Sequence, residues 1–339
     1  MEKIDWDNLG FNVVETHSMY KASCRIGEEW KLGGLIPYGT IELSPAAGVL
    51  NYGQGCFEGT KAYRTVKDRV VLFRPEMNAK RMALSTKRLC IPEMNQEFFL
   101  NAVEETLKDN IDYVPPYGKG SLYIRPIVWG TSPALGVKPV EVYTFMVFVS
   151  PVGPYFKGDI QPLNLKVSNK YHRAAPKGIG NAKAIGNYSA SLLPLIEAKN
   201  SGFDEVIYLN AKDEEFVEEV GSANLFVLTG NTIKTPKLDG SILPGITRDS
   251  VITLAKDTIG LEVLETNVTL TELYDADEVF CTGTAVVVTP VGSITDLDGK
   301  HKIADGKMGQ LTSKLRQLLT GIQRGDVSDE FGWLYPIKE

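Results

Sequence analysis

The segment SPVGPYFKGDIQP, near the middle of the chain, constrains the fold more than any other. Glycine and proline recur in it at short intervals, a spacing that strand and helix interiors do not tolerate. It predicts a crossing between two folded units: a smaller α+β domain over residues 1–152, a linker over 153–163 and a larger domain over 164–339. A chain of 339 residues accommodates two domains of roughly 150 residues each.

On both sides of the crossing, strand-type and helix-type strings alternate, so the fold class is α+β or mixed α/β. In the first half VVLF reads as a short buried strand. RPEMNAKRMALSTKRL reads as a helix that starts at Pro75, with Met77, Met82, Leu84 and Leu89 on one apolar face. NQEFFLNAVEETLKDNI is a second amphipathic helix, and SLYIRPIVWGT and VEVYTFMVFVSPVG are strands rich in β-branched and aromatic residues. The second half opens with strand LNLKVSN and a glycine-rich stretch, GIGNAKAIGNYSAS, feeding a helix. Strand DEVIYLN, hairpin ANLFVLTGNTIKTP and helix TRDSVITLAKDTI come next. TELYDADEVFCTGTAVVVTPVGSI reads as strand–turn–strand, and QLTSKLRQLLTGIQ as a closing helix.

Charge and residue counts remove several function classes. The formal net charge is −6 and no basic patch stands out, which argues against nucleic-acid or membrane partners. The N-terminus lacks the basic-then-apolar order of a secretory signal, and no apolar run approaches the roughly 20 residues of a spanning helix. Cys24, Cys56, Cys90 and Cys281 are scattered and read as buried thiols of a reducing compartment, with cytoplasm the expected location. There are three histidines, and no GxSxG, no HExxH and no zinc-type Cys/His spacing, so no metal site is expected. The chemistry falls to Lys, Tyr, Glu and Arg, or to a cofactor.

Four strings could carry it. In GIGNAKAIGNY, Lys183 stands among Gly180, Ala182, Ala184 and Gly186, which leave room for a planar group beside it. A partly desolvated lysine is a better amine nucleophile, although a surface lysine in a glycine-rich loop reads the same way. A dinucleotide-binding reading fails, because Lys183 stands where the third glycine should be. In FVEEVGSANLF, Glu218 and Glu219 lie between valines; one is expected to point inward, where it needs a cation, the alternative being an acidic turn in solvent. In SILPGITRDS, Pro244 and Gly245 set a turn before a helix start near Ile246, whose N–H groups suit a phosphate, and Thr284 could add a hydroxyl to the same anion. Arg81 and Arg125 stand within apolar strings, where each calls for a carboxylate or a phosphate, a structural ion pair being the commoner reason.

Taken together, NYGQGCFEGTKAYR, LFRPEMNAKRM, LYIRPIVWGTSPALGV, FVSPVGPYF, GNAKAIGNY, EEVGSANLF, LPGITRDS and CTGTAVVVTPV resemble the branched-chain aminotransferases, pyridoxal 5'-phosphate (PLP) enzymes of fold type IV, the D-amino acid aminotransferase-like fold. The eight strings are collinear from about residue 50 to about 292. The resemblance implies that Lys183 carries the cofactor and then moves the proton between the substrate Cα and C4′. It assigns Tyr188 to the cofactor's phenolic oxygen and Glu219, rather than Glu218, to the pyridine nitrogen. Arg81, the amides of Ile246 and Thr247, and the Thr284 hydroxyl would hold the phosphate. The backbone around Thr284 and Ala285 would receive the substrate carboxylate.

The resemblance also implies an aromatic side-chain pocket of Tyr52, Phe57, Tyr123 and Tyr155, suited to leucine, isoleucine and valine. Arg125, among the tyrosines, would meet the second carboxylate of 2-oxoglutarate or glutamate. Some animal members carry a CxxC pair just after GTA; here Val286 and Thr289 stand in those positions, so that form of thiol regulation is not expected. The family resemblance implies a homodimer. D-amino acid aminotransferases and aminodeoxychorismate lyases of the same fold type share Lys183, Glu219 and the phosphate residues, and the FEGTKAYR and LYIRPIVWG strings favour the branched-chain type over them.

Overall fold

The structure is a computed structural model that describes residues 4–153 and 160–338. By the contacts its residues make, the chain divides into two compact units. One comprises Met1–Tyr155 with Ala182–Ile185 and Gly321–Glu339; the other comprises Phe156–Asn181 with Gly186–Thr320. Two segments therefore depart from the split read in the sequence, since residues 182–185 and 321–339 pack with the first unit. The reason is strand pairing. Ala184 bridges to Cys56, and the strand Leu334–Pro336 runs antiparallel along Val71–Phe73. Residues 154–159 of the expected linker lie outside the described residues, and Leu163 already belongs to a strand.

The first unit is built on strands β1 (Ser18–Arg25), β2 (Gly34–Pro37), β3 (Gly55–Phe57), β4 (Thr60–Arg64), β5 (Val70–Phe73), β6 (Ser121–Gly130) and β7 (Val142–Val152). Their order is Leu334–Pro336, β5, β4, β6, β7, β1, β2, with β3 paired to β6. Every pair in this sheet is antiparallel. Strand β6 shows why one face is core and the other is free for a site. Leu122, Ile124 and Val128 are fully buried, while Tyr123, Arg125 and Ile127, on the opposite face of the pleat, are only half-buried.

Helices α1 (Gly48–Tyr52), α2 (Pro75–Arg88) and α3 (Gln96–Asp109) complete this unit. The Asn95 side chain caps α3 by accepting the Phe98 N–H at 2.8 Å, a bond worth about 1 kcal/mol. Phe98, Phe99, Ala102, Val103 and Leu107 then bury one stripe of that helix. Helix α2 starts at Pro75 as expected, but its buried stripe is not the expected apolar one. Met82 is buried, whereas Leu84 is 63% exposed, and Asn78, Ala79, Arg81, Ser85 and Thr86 face inward. A polar stripe turned inward marks a buried polar cluster, described below.

The second unit contains β8 (Leu163–Val167), β9 (Glu205–Leu209), β10 (Val217–Val220), β11 (Asn224–Thr229), β12 (Thr232–Pro236), β13 (Glu262–Thr266), β14 (Glu278–Gly283), β15 (Val287–Thr295) and β16 (Lys300–Lys302). They run β10, β9, β8, β15, β14, β11, β12, β13, with β16 on β15. The sheet is mixed: β8 lies parallel to both β15 and β9, and β12 to β13, while the other pairs are antiparallel. Its helices are α4 (Ile185–Ser189), α5 (Leu192–Asn200), α6 (Ile246–Thr253), α7 (Leu270–Tyr274) and α8 (Gln310–Arg324). Leu165, Leu225, Cys281 and Ile294 are fully buried in its core. Of the four cysteines, Cys24, Cys56 and Cys281 are buried and Cys90 is exposed, which corrects the reading of all four as buried.

Candidate active site

Lys183 is fixed through its backbone to the edge of β3. Its carbonyl accepts the Phe57 N–H at 3.1 Å, and its own N–H donates to Ser85 Oγ at 3.0 Å, one of the inward polar groups of α2. The side chain is half-buried and reaches over the Phe57 ring, with Nζ 4.8 Å from the centroid. The Arg125 guanidinium lies 4.7 Å from the same centroid and 5.2 Å from that of Tyr123, and donates to the Tyr123 hydroxyl at 3.0 Å. Its Nε is buried with no hydrogen-bond partner among the described residues. A lysine and an arginine thus both lie against one aromatic ring, an arrangement that suits both an apolar side chain and a carboxylate. Gly59 makes it possible, because a Cβ there would lie 2.2 Å from the Tyr123 hydroxyl.

Beneath this platform lies Glu58, fully buried. Arg81 meets it with both arms of the fork, Nε to Oε1 at 2.7 Å and Nη2 to Oε2 at 2.8 Å. Asn78 Nδ2 donates to Oε2 at 2.7 Å. Burial alone would push the Glu58 carboxyl up; Arg81 outweighs it, with help from Lys183 and Asn78, and holds the group below the usual carboxylate range. Two of the donors of Arg81 are therefore directed to a carboxylate that the sequence reading missed. Its only sign was an acidic residue in the apolar string GCFEGTKAY.

In the second unit both glutamates of VEEV are buried, at 3% and 2% exposure, where only one was expected to point inward. A shift in strand register between Val217 and Glu219 breaks the alternation and turns both side chains away from solvent. Glu219 Oε1 accepts from Arg173 Nη1 at 2.7 Å and from the Leu243 N–H at 3.0 Å. Arg173 in turn donates to the carbonyls of Gly221 and Ser241, each at 3.3 Å. It lies in a loop, YHRAAPKG, whose composition gave no hint of a buried cation. Glu218 differs. Its Oε1 is 2.5 Å from Ser241 Oγ, and its Oε2 is buried without a hydrogen-bond partner among the described residues. Burial pushes this carboxyl above its usual range, and the nearby Asp239 adds to the effect. Ser241 Oγ is also 2.7 Å from Asp239 Oδ1. The Ser241 hydroxyl has one proton for two carboxylates, and the upward push on Glu218 eases that competition.

The turn before α6 is set by Gly245, where a Cβ would lie 2.0 Å from Asn224 Oδ1; Asn224 itself donates to the Leu243 carbonyl at 3.0 Å. Helix α6 then starts at Ile246, with Thr247 buried, and its N-cap glycine offers no side-chain oxygen to the first turn. Thr284 and Ala285 form the turn between β14 and β15. Tyr188 is half-buried on α4, and its carbonyl accepts from the Ser191 N–H and hydroxyl. Tyr52 is 38% exposed on α1 and donates to the Leu135 carbonyl. Tyr155 lies outside the described residues. The first unit thus brings together Lys183, Phe57, Tyr123, Arg125 and Arg81. The second holds Glu219, the α6 start and the Thr284 turn.

A ring that carries a phosphate, an aldehyde and a basic pyridine nitrogen needs an amine, an ionised acid and an anion site. Lys183, the Arg173-paired Glu219 and the uncapped start of α6 are of those kinds. Residues 55–294 match the model of the amino-transferase class IV family, and the chain belongs to that family. The chain is 49% identical over 330 residues to branched-chain amino acid aminotransferase 2, chloroplastic, of Humulus lupulus, covering 97% of this chain and 81% of that protein. It is 42% identical to the methionine aminotransferase BCAT4 of Arabidopsis thaliana, covering 98% of this chain and 94% of that one. Among solved structures, the branched-chain amino acid aminotransferase of Thermobaculum terrenum in its PLP form superposes with a TM-score of 0.80 at 26% identity. That match covers 96% of this chain and 99% of the other.

Proposed function

We infer that the protein is a transaminase that moves the amino group of L-leucine, L-isoleucine or L-valine to 2-oxoglutarate, reversibly and by a ping-pong course, with PLP as cofactor. The single observation that carries this reading is the shared Phe57 ring, with Lys183 Nζ at 4.8 Å and the Arg125 guanidinium at 4.7 Å from its centroid. An aromatic wall accepts branched aliphatic side chains and distinguishes poorly among them, because one methylene is worth about 1–3 kcal/mol. Arg125, whose Nε has no partner among the described residues, supplies the cation for the second carboxylate of 2-oxoglutarate.

PLP, when bound, supplies a ring that accepts the electron pair left at the substrate Cα. Lys183 Nζ would move the proton from the substrate Cα to C4′ of the cofactor. Glu219, paired with Arg173, serves as the counter-charge for the ring nitrogen. The Ile246 and Thr247 amides, Thr284 and Arg81 serve the phosphate, with Arg81 oriented by Glu58. Tyr188 serves the phenolic oxygen. Ala285 and its neighbours receive the substrate carboxylate, and Tyr52, Tyr123 and Tyr155 join Phe57 in the side-chain pocket.

The working form is a homodimer. Leu135 and Val137, 91% and 89% exposed on one loop, are the kind of apolar surface a second copy would cover. The protein works in the cytoplasm, a reading supported by four cysteines that are all free thiols. Among the described residues no helix is long and apolar enough to cross a membrane. The methionine aminotransferase relative adds L-methionine to the substrates to be compared. Glutamate formation from 2-oxoglutarate with L-leucine, L-isoleucine, L-valine, L-methionine and D-alanine tests the assignment. The branched-chain substrates should lead; D-alanine in the lead would replace the assignment by the D-amino acid one.

A further inference from the structure

Strands β14 and β15 form a hairpin in which Gly283 pairs with Val287 across the three-residue turn Thr284–Ala285–Val286. Tight hairpin turns often hold one residue in the left-handed region, where glycine is the usual occupant. Here the occupant is Val287, with φ of 63°. For a β-branched side chain that conformation is strained, and strain of this kind persists only where the surroundings over-determine it.

The surroundings are identifiable. Arg316 Nη1 donates to the Val286 carbonyl at 3.2 Å and to the Val288 carbonyl at 2.7 Å, one on each side of the strained residue. Thr289 Oγ1 donates to the same Val286 carbonyl at 2.7 Å. Bonds from a guanidinium are stronger than those from a neutral donor. Arg316 is itself held in register, because its neighbours on α8, Leu315 and Leu319, are fully buried. The start of α8 is tied to β14 as well. The Glu278 carboxylate accepts the N–H groups of Leu311 and Thr312 at 2.9 and 2.8 Å and the Thr312 hydroxyl at 2.7 Å. Strand, turn and helix therefore form a closed frame, with Glu278 at one corner and Arg316 at the other.

We propose that Arg316 is a positioning residue that clamps the Thr284–Val286 turn, against the strain at Val287, in the conformation that receives the anionic groups of cofactor and substrate. This rests on the reading that Thr284 and Ala285 belong to the site. It extends that reading to a helix that none of the site strings contains. Without the clamp the chain would relax at Val287 and the turn would lose its pre-organised form, which weakens binding more than it slows chemistry.

The test uses the holoenzyme and five variants: R316A, R316K, V287G, R316A/V287G and T284A. Three quantities are read: the dissociation constant of PLP by equilibrium titration of the apoprotein, the melting temperature, and kcat and KM for L-leucine. In R316A the PLP dissociation constant and the KM should rise about tenfold, with kcat within about threefold of the parent. R316K should recover most of the loss, since an ammonium in the same place can donate to both carbonyls. V287G should melt no lower than the parent, and in its background the R316A penalty should shrink, because little strain is left to oppose. An R316A variant with unchanged binding, or penalties that simply add in R316A/V287G, would overturn the proposal. Should R316A not fold, R316M keeps the stem packed on α8 and is read in the same way. T284A separates the two levels: if it leaves PLP binding unchanged, the site reading fails, whereas weakened binding in T284A beside normal R316A refutes the clamp alone.

Discussion

At the scale of single residues, the buried glutamates of the candidate site are each answered by a specific partner, and the partners differ in kind. Glu219 is matched by Arg173, Glu58 by Arg81, and Glu218 by a serine. Two substitutions test these assignments. Lys183→Ala should abolish transamination while PLP, titrated by fluorescence, still binds through its phosphate; substantial residual turnover would remove Lys183 from its role. Glu218→Gln addresses the carboxyl that burial pushes up. A carboxyl raised above its ordinary pKa of about 4.3 contributes stability in full below that value and loses it as pH rises through the raised one. Wild type should therefore lose melting temperature relative to Glu218→Gln as pH rises from acidic to neutral. A wild-type deficit that is flat with pH, or that grows toward acid, would show that the Glu218 carboxyl is not raised.

At the scale of elements, helix α2 and strand β3 act together, since the helix turns Asn78, Arg81 and Ser85 toward Glu58 and Lys183, on either side of the platform. Removing one member of a buried ion pair typically costs about 3–5 kcal/mol, because the other charge is left uncompensated. Glu58→Gln should accordingly lower the unfolding free energy, measured in urea, by an amount in that range, and weaken PLP binding through the freed Arg81. Near-wild-type stability would show that Asn78 and solvent suffice. Much of the element plan was legible in the sequence. The strands VVLF and SLYIRPIVWG, the helix capped by Asn95 and the closing helix all fall where their periodicity puts them. The inward face of α2 was not legible, because Leu84 fits an apolar helical stripe as well as Met82 does, and only the buried Glu58 explains why the polar side turns inward. The paired burial of Glu218 and Glu219 was hidden for a similar reason: it depends on an irregularity of register, not on residue type. Arg173 and Val287 gave no signal, since their meaning lies in contacts made far along the chain.

At the scale of the whole molecule, the sequence shows one glycine- and proline-rich crossing, while in the folded chain two further segments of the second half pack with the first unit. Ala182–Ile185 joins the first unit by bridging to β3, which is how a lysine encoded in the second half comes to lie over Phe57. A boundary read from composition could not reveal that, because the segment is too short to carry a composition of its own. The resemblance supplied the role of Lys183, and its backbone bonds to Phe57 and Ser85 supply the physical reason for its position. The most direct test of the central claim is the visible spectrum of the purified, PLP-reconstituted protein, before and after addition of L-leucine with no oxo acid present. The expected result is a yellow cofactor band that L-leucine bleaches and 2-oxoglutarate restores. No band after incubation with PLP, or a band that only D-alanine bleaches, would contradict it.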